Sequence, residues 1–168
     1  MAEPIERHVF SLLVDNEPGV LARVVGLFSG RGYNIESLTV AEVESGKALS
    51  RINLVTSGSR MIIEQIKAQL DRLVPIHKVS DLTEEGAHVE RELALVKVVN
   101  NGEKRLQSLE LAKTYQALVI DDDVDSLVIE IVSNTEMVNS FIKLMKPLGL
   151  VEISRTGVVA ILRGKVSI

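Results

Sequence analysis

Residues 15–20, Asp-Asn-Glu-Pro-Gly-Val, and residues 30–35, Gly-Arg-Gly-Tyr-Asn-Ile, are the two stretches whose residue types suit holding a small polar molecule. In the first, Pro18 lacks an N–H and has a φ preset for the first helical position, while Gly19 removes the side chain that would keep a ligand off the backbone. The N–H groups of Gly19, Val20 and Leu21, with the positive end of the helix dipole, then suit a carboxylate, for ~1 to 2 kcal/mol in a partly buried geometry. Capping of the helix from within by Asp15 or Asn16 accounts for the same residues without a ligand. In the second stretch the amide of Asn34 offers a donor and an acceptor to a small zwitterion, and Ile35 offers an apolar wall. The alternative for Asn34 is a turn residue tolerant of positive φ. Asn16 and Asn34 flank opposite ends of one helix, roughly 15 Å or more apart at 1.5 Å per residue. Two chains related by a two-fold axis could bring one helix entrance to the other chain's Asn34.

Other constellations carry less. Gly26, Gly30 and Gly32 lie inside and after a helix, whereas a dinucleotide fingerprint must follow a strand and open a helix. Asp121, Asp123 and Asp125 have the first three spacings of a calcium loop, but Ser126 stands where glycine is needed and Val132 where the bidentate glutamate is needed, so a solvated hairpin tip is expected. His8, His77 and His88 are scattered without zinc spacing and read as surface or linker residues, so no metal site is expected. No nucleophile, base and oxyanion site assemble, which leaves no catalytic residues to nominate.

The elements that must position these residues follow from periodicity. Residues 8–14 form an apolar run suited to a strand covered on both faces. Leu21, Val24, Val25 and Phe28 make an apolar helical stripe, while Ala22 and Gly26 leave a smooth second face that permits close approach. A strand over 34–43, a turn at Glu44-Ser45-Gly46-Lys47 and a strand over 49–56 follow, the last alternating Ile52 and Leu54 with Arg51 and Asn53 and so predicting one polar sheet face. A helix carrying Ile63, Ile66, Leu70 and Leu73 and an extended segment over 74–82 complete a βαββαβ order, the ferredoxin-like arrangement. The polar stretch 83–90 reads as a linker. The same order recurs beyond it: strand 92–99, helix 103–115, strands 117–120 and 127–132, a helix with Val138, Phe141, Ile142 and Met145, and an extended stretch over 151–162 bent at Gly157. The expected fold is therefore α+β, with two ferredoxin-like βαββαβ domains at 1–82 and 91–168.

Composition narrows the function classes. Of 168 residues, 46% are hydrophobic and 25% charged, enough apolar material for a core. Aromatics are only 3% and the net charge is -4, so the stacking rings and basic surface of an RNA-recognition module with this strand order are missing, and no nucleic-acid partner is expected. Cysteine is absent, which excludes thiolate chemistry. No stretch approaches the roughly 20 apolar residues of a membrane span, and the N-terminus has no apolar signal stretch, so a cytoplasmic chain is expected.

The segments DNEPGVLARVVGLFSGRGYNIESLTV, GAHVERELALVKV and RTGVVAILRG together resemble the small regulatory subunits of acetohydroxyacid synthase, also called acetolactate synthase, and the resemblance covers essentially the whole chain. Pro18 stands where some relatives have serine, and Val20 and Ala22 vary similarly. The resemblance implies that the N-terminal half is an ACT domain, a module that binds amino acids at dimer interfaces. It also implies a homodimer that activates a catalytic subunit in branched-chain amino-acid biosynthesis and confers valine feedback inhibition. By the same resemblance, Asn16, Gly19, Val20 and Leu21 of one subunit and Asn34 and Ile35 of its neighbour form the valine site. No cofactor is expected in this chain; thiamine diphosphate, Mg and FAD belong to the catalytic subunit. Two rival readings are a stand-alone amino-acid sensor for another enzyme or a transcription factor, and an enzyme in its own right.

Overall fold

A computed structural model describes residues 4–43, 46 and 48–168. Strand β1 (Glu6–Asp15), helix α1 (Val20–Arg31), strands β2 (Ser37–Glu42) and β3 (Leu49–Gly58), helix α2 (Arg60–Asp71) and strand β4 (Ile76–Asp81) form the first βαββαβ set. Its four strands lie in the order β2-β3-β1-β4, every neighbour antiparallel. This is the ferredoxin-like topology. Glu44, Ser45 and Lys47 of the expected turn lie outside the described residues; Gly46 adopts φ 88.

One sheet face buries Phe10, Leu12 and Val14 of β1 and Ile52 and Leu54 of β3 against α1 and α2. From α1 the buried residues are Val20, Val24, Leu27 and Phe28. The expected stripe is thus rotated by one position. Val24 and Phe28 hold, but Leu21 is exposed and Val25 half-buried, because Val20 and Leu27 complete a tighter i, i+4, i+7, i+8 face. Leu21, Ala22 and Gly26 are left together on the exposed side. Helix α2 buries Ile63, Ile66 and Leu70, with Leu73 packing beyond its end.

The opposite face is polar, as the alternation in β3 predicts, but it is not solvent-exposed. Register places Ser80, Ser11, Asn53 and Thr39 in one row across β4, β1, β3 and β2. The first three are buried. Their cover comes from the end of the chain. A short helix α3 (Leu82–Glu85) and strand β9 (Val159–Leu162) bring Leu82, Val158, Ala160 and Leu162 against Val9 and Val55. Val158 is tied at both main-chain groups: its N–H donates to Ser37 Oγ at 2.7 Å and its carbonyl accepts from Thr39 Oγ1 at 3.1 Å. Arg163 N–H donates to Ala87 O at 2.9 Å. The compact units therefore differ from the sequence-based division: one runs through Val89 and takes up Val158–Ile168, and the other is Glu90–Gly157.

In that second unit β5 (His88–Val99), α4 (Gly102–Thr114), β6 (Leu118–Asp122), β7 (Ser126–Ser133), α5 (Thr135–Met145) and β8 (Leu150–Arg155) repeat the topology, with strand order β6-β7-β5-β8. Val138, Phe141, Ile142 and Met145 are all buried, as their spacing predicts. Asn134 caps α5 by accepting from Met137 N–H at 2.8 Å. The expected linker is shorter than 83–90, since Thr83 to Glu85 complete α3 and His88 opens β5. Gly157, at φ 91, bends the last extended stretch into β8 and β9. Among the described residues no helix is long and apolar enough to cross a membrane.

Candidate functional site

The entrance to α1 is built by a tight turn. Val20 N–H donates to Glu17 O at 3.4 Å, with Pro18 at the second position and Gly19, at φ 88 and ψ -10, at the third. These are the preferences of a type II turn, in which only glycine takes the third position without strain. Pro18 accordingly precedes the helix rather than occupying its first residue, and the Val20 N–H is drawn into the turn.

No side chain caps α1. Asp15 is engaged elsewhere, accepting from His77 Nε2, while its N–H donates to Pro75 O at 2.9 Å. Asn16 is fixed through its own N–H, which donates to Ala48 O at 2.8 Å, and its side chain is exposed. The internal-capping explanation of Asp15 and Asn16 is thereby removed. Leu21 and Ala22 sit in the first turn, where N–H groups have no intrahelical acceptor. Gly19 is exposed, and no neighbour stands within 4 Å of where a Cβ would lie. The entrance is open to an anion from outside.

The exit of α1 explains the second glycine cluster. Gly32, at φ 68, is a left-handed cap, and Tyr33 N–H reaches back to Phe28 O at 3.0 Å. That bond and the edge-on contact of the Tyr33 and Phe28 rings, centroids 6.2 Å apart, make a Schellman ending with its hydrophobic contact. Tyr33 OH also donates to Gln65 Oε1 at 3.1 Å. Asn34 then lies three residues before β2 rather than inside it, anchored through its carbonyl, which accepts from Thr56 Oγ1 at 2.7 Å. Among the described non-glycine residues only Gln116 has positive φ, so Asn34 is not there for a left-handed turn. Its side chain is exposed, and Ile35 is half-buried against the core.

Within one chain these residues form two groups. Asn16, Gly19, Val20 and Leu21 lie at one end of α1 and Asn34 and Ile35 at the other. The 12 residues of α1 separate them, a length of about 18 Å at 1.5 Å per residue. Val20 offers no side chain to a ligand, because that side chain is buried in the core.

Each other candidate has a structural role. His8 is a buried residue, not a surface one: its Nδ1 lies 2.7 Å from Asp81 Oδ2. Asp81 Oδ1 accepts from Thr83 N–H at 3.1 Å and caps α3. Ligand atoms of His8, Asp81 and Glu84 lie within 4.8 Å of one another, but both Asp81 oxygens are committed to those protein partners. In the second unit the aspartate-rich tip is gathered by Arg105, which donates to the Asp122 carboxylate and to Asp123 O and Val124 O. Sequence reasoning missed Arg105 and His8 because their partners are distant along the chain.

Comparison with known proteins settles the family. Residues 10–78 match a family model described as the AHAS small subunit-like ACT domain, and residues 91–164 match one described as the small subunit of acetolactate synthase. A probable acetolactate synthase small subunit from Archaeoglobus fulgidus is 45% identical over 158 residues, covering 94% of this chain and 98% of the relative. The chain belongs to the acetolactate synthase small-subunit family. The isozyme 3 small subunit of Salmonella typhimurium is 39% identical, with 94% of this chain and 96% of that protein aligned. The crystal structure of the acetolactate synthase small subunit from Thermotoga maritima superposes with a TM-score of 0.84 at 38% identity, over 96% of this chain and 99% of that one. The N-terminal set is thus an ACT domain, and the two ferredoxin-like sets are those of a family that partners a catalytic acetolactate synthase subunit.

Proposed function

We propose that this small subunit is a non-catalytic regulator that activates its catalytic partner and makes it sensitive to valine. Two ACT domains related by a two-fold axis hold the effector between them. The N–H groups of Gly19 and Leu21, with Asn16, receive the carboxylate from one chain, and Val20, whose N–H closes the turn on Glu17 O, sets their spacing. Asn34 and Ile35 of the other chain receive the ammonium group and the isopropyl group. The observation that supports this reading most is the open entrance to α1, which has no side-chain cap and carries an exposed left-handed Gly19. The bare Leu21, Ala22 and Gly26 face supports the approach of a second copy.

Burial of the isopropyl group contributes about 1.5 to 3 kcal/mol. With the carboxylate term of ~1 to 2 kcal/mol and about 1.5 to 3 kcal/mol from the charged hydrogen bond at Asn34, the sum of about 4 to 8 kcal/mol corresponds to a Kd of ~1 mM to 1 μM. Valine inhibits because it binds the inhibited holoenzyme more tightly than the active one. Thiamine diphosphate, Mg and FAD act in the catalytic subunit, and the assembly works in the cytoplasm.

The test is reconstitution: acetolactate formation by the cognate catalytic subunit is measured with and without this chain, and with and without valine. Stimulation that valine reverses is expected. Calorimetry on Asn34→Ala is expected to show valine affinity down about 10- to 100-fold, the loss of a hydrogen bond to a charged group. No change in catalytic-subunit activity would favour a stand-alone sensor, acetolactate formation by the isolated chain an enzyme, and either defeats the reading.

A further inference from the structure

Ser11 of the polar row borders a cavity of about 220 Å³ inside the first unit. Ser11, Arg51, Leu82, Ala160, Leu162 and Val166 are among its lining residues. Ser11 is 1% exposed and Ser80, its cross-strand neighbour, is 0% exposed. Among the described residues neither hydroxyl has a hydrogen-bond partner, and the same holds for Arg51 Nε and Asn53 Oδ1. Period-2 alternation puts Ser11, Arg51, Asn53, Lys78 and Ser80 on one sheet face. Four unpaired polar atoms on one face are unusual, because a buried polar group without a partner opposes folding. Two of them, Ser11 Oγ and Arg51 Nε, belong to residues that line the cavity and give it the character of a prepared site.

The donors set the ligand chemistry. Arg51 Nε–H and the Ser11 hydroxyl reach the cavity from the sheet, and no carboxylate side chain lines it. Arg51 is held in place through Nη2, which donates to Ile168 O at 3.0 Å, and Lys78 Nζ donates to Ser167 O at 3.2 Å, so two cations flank the space. The other wall, from Leu82, Ala160, Leu162 and Val166, is aliphatic. An apolar cavity of about 150 Å³ holds a benzene ring, so this volume suits a molecule of about six to nine non-hydrogen atoms.

We propose that the cavity between the chain end and the face of the ACT sheet opposite α1 and α2 is a second small-molecule site, taking a small aliphatic carboxylate whose oxygens meet Arg51 Nε and Ser11 Oγ. It lies on the sheet face opposite α1 and is separate from the site at the ends of that helix. A ligand here pins the chain end onto the ACT sheet, which makes residues 158–168 a sensor strap.

Isovalerate, with isovaleramide as its uncharged counterpart, tests this by titration into the full chain carrying ¹³C-labelled methyl groups. Saturable shifts are expected at Leu82, Ala160, Leu162 and Val166 in the millimolar range, with isovaleramide at least about tenfold weaker. Ser11→Ala removes an unpaired hydroxyl and folds at least as well as the parent, checked by its thermal midpoint. It is expected to weaken isovalerate about 10- to 100-fold, while Asn34→Ala leaves it unchanged. Shifts confined to Val20, Leu21 and Ile35, no saturable shift at tens of millimolar, or equal binding of the amide would each overturn the proposal. Loss of valine response with these shifts intact would instead defeat only the helix-end site.

Discussion

Val158→Ala is a sharp perturbation because Val158 is distant from the core it completes. It lies 121 residues beyond Ser37, whose hydroxyl accepts from its N–H, and its side chain is 2% exposed against Val9, Val55 and Leu82. Alanine keeps both main-chain bonds to Ser37 and Thr39, so only packing is lost. Removing two methyl groups costs about 1.6 kcal/mol at about 0.8 kcal/mol each. Incomplete closure of the small void raises this to about 2.5 kcal/mol. At about 1.4 kcal/mol per decade, core amides of β1 and β3 should exchange about 14- to 60-fold faster. Hydrogen exchange with mass spectrometry separates peptides of the two units. Loss of protection in β1 and β3, with β7 and α5 unchanged, is expected. The converse, β7 and α5 losing protection while β1 keeps it, would refute the assignment of this segment to the ACT unit.

Other substitutions test individual contacts. Gly149→Ala places a Cβ against the Val99 carbonyl oxygen at φ 98, and a cost of about 2 to 4 kcal/mol is expected in urea unfolding. His8→Leu leaves Asp81 Oδ2 buried without its partner and should cost about 2 to 3 kcal/mol by the same measurement. Lys97 holds the Glu152 carboxyl below its usual range by a hydrogen bond at 2.7 Å and by charge, so Lys97→Met should move the Glu152 titration upward in carboxyl NMR. A carboxyl with a depressed folded pKa contributes stability above its unfolded pKa and loses it as pH falls through the folded one. The variant should therefore be less stable than the parent above the unfolded carboxyl pKa and converge with it as pH falls through the folded one.

Much of this architecture was legible because local rules encode it. The period of α5 placed Val138, Phe141, Ile142 and Met145 in the core, and the alternation of β3 separated Ile52 and Leu54 from Arg51 and Asn53. Gly32 marked a helix ending, since that cap depends on a φ few residues adopt, whereas Pro18, read as the first helical residue, belongs to the turn before α1. The stripe on α1 was misplaced by one position because Leu21 and Val25 are as apolar as Val20 and Leu27. Only the neighbours across the interface decide which of them is buried.

By itself, then, the sequence determined the repeated βαββαβ order, the two glycine clusters at the ends of α1 and the family, all of which rest on residue types close together in the chain, whereas only the structure showed that no side chain caps α1. Tertiary structure decided that residues 158–168 cover the ACT sheet, that His8 joins Asp81 across 73 residues, and that Ser11, Asn53 and Ser80 share one buried row. The physical reason is range. Helix and turn preferences act over a few residues and leave a periodic trace, whereas a strand that returns to cover a distant sheet is chosen by shape and solvent exclusion. Its own apolar-polar pattern suits many partners equally well.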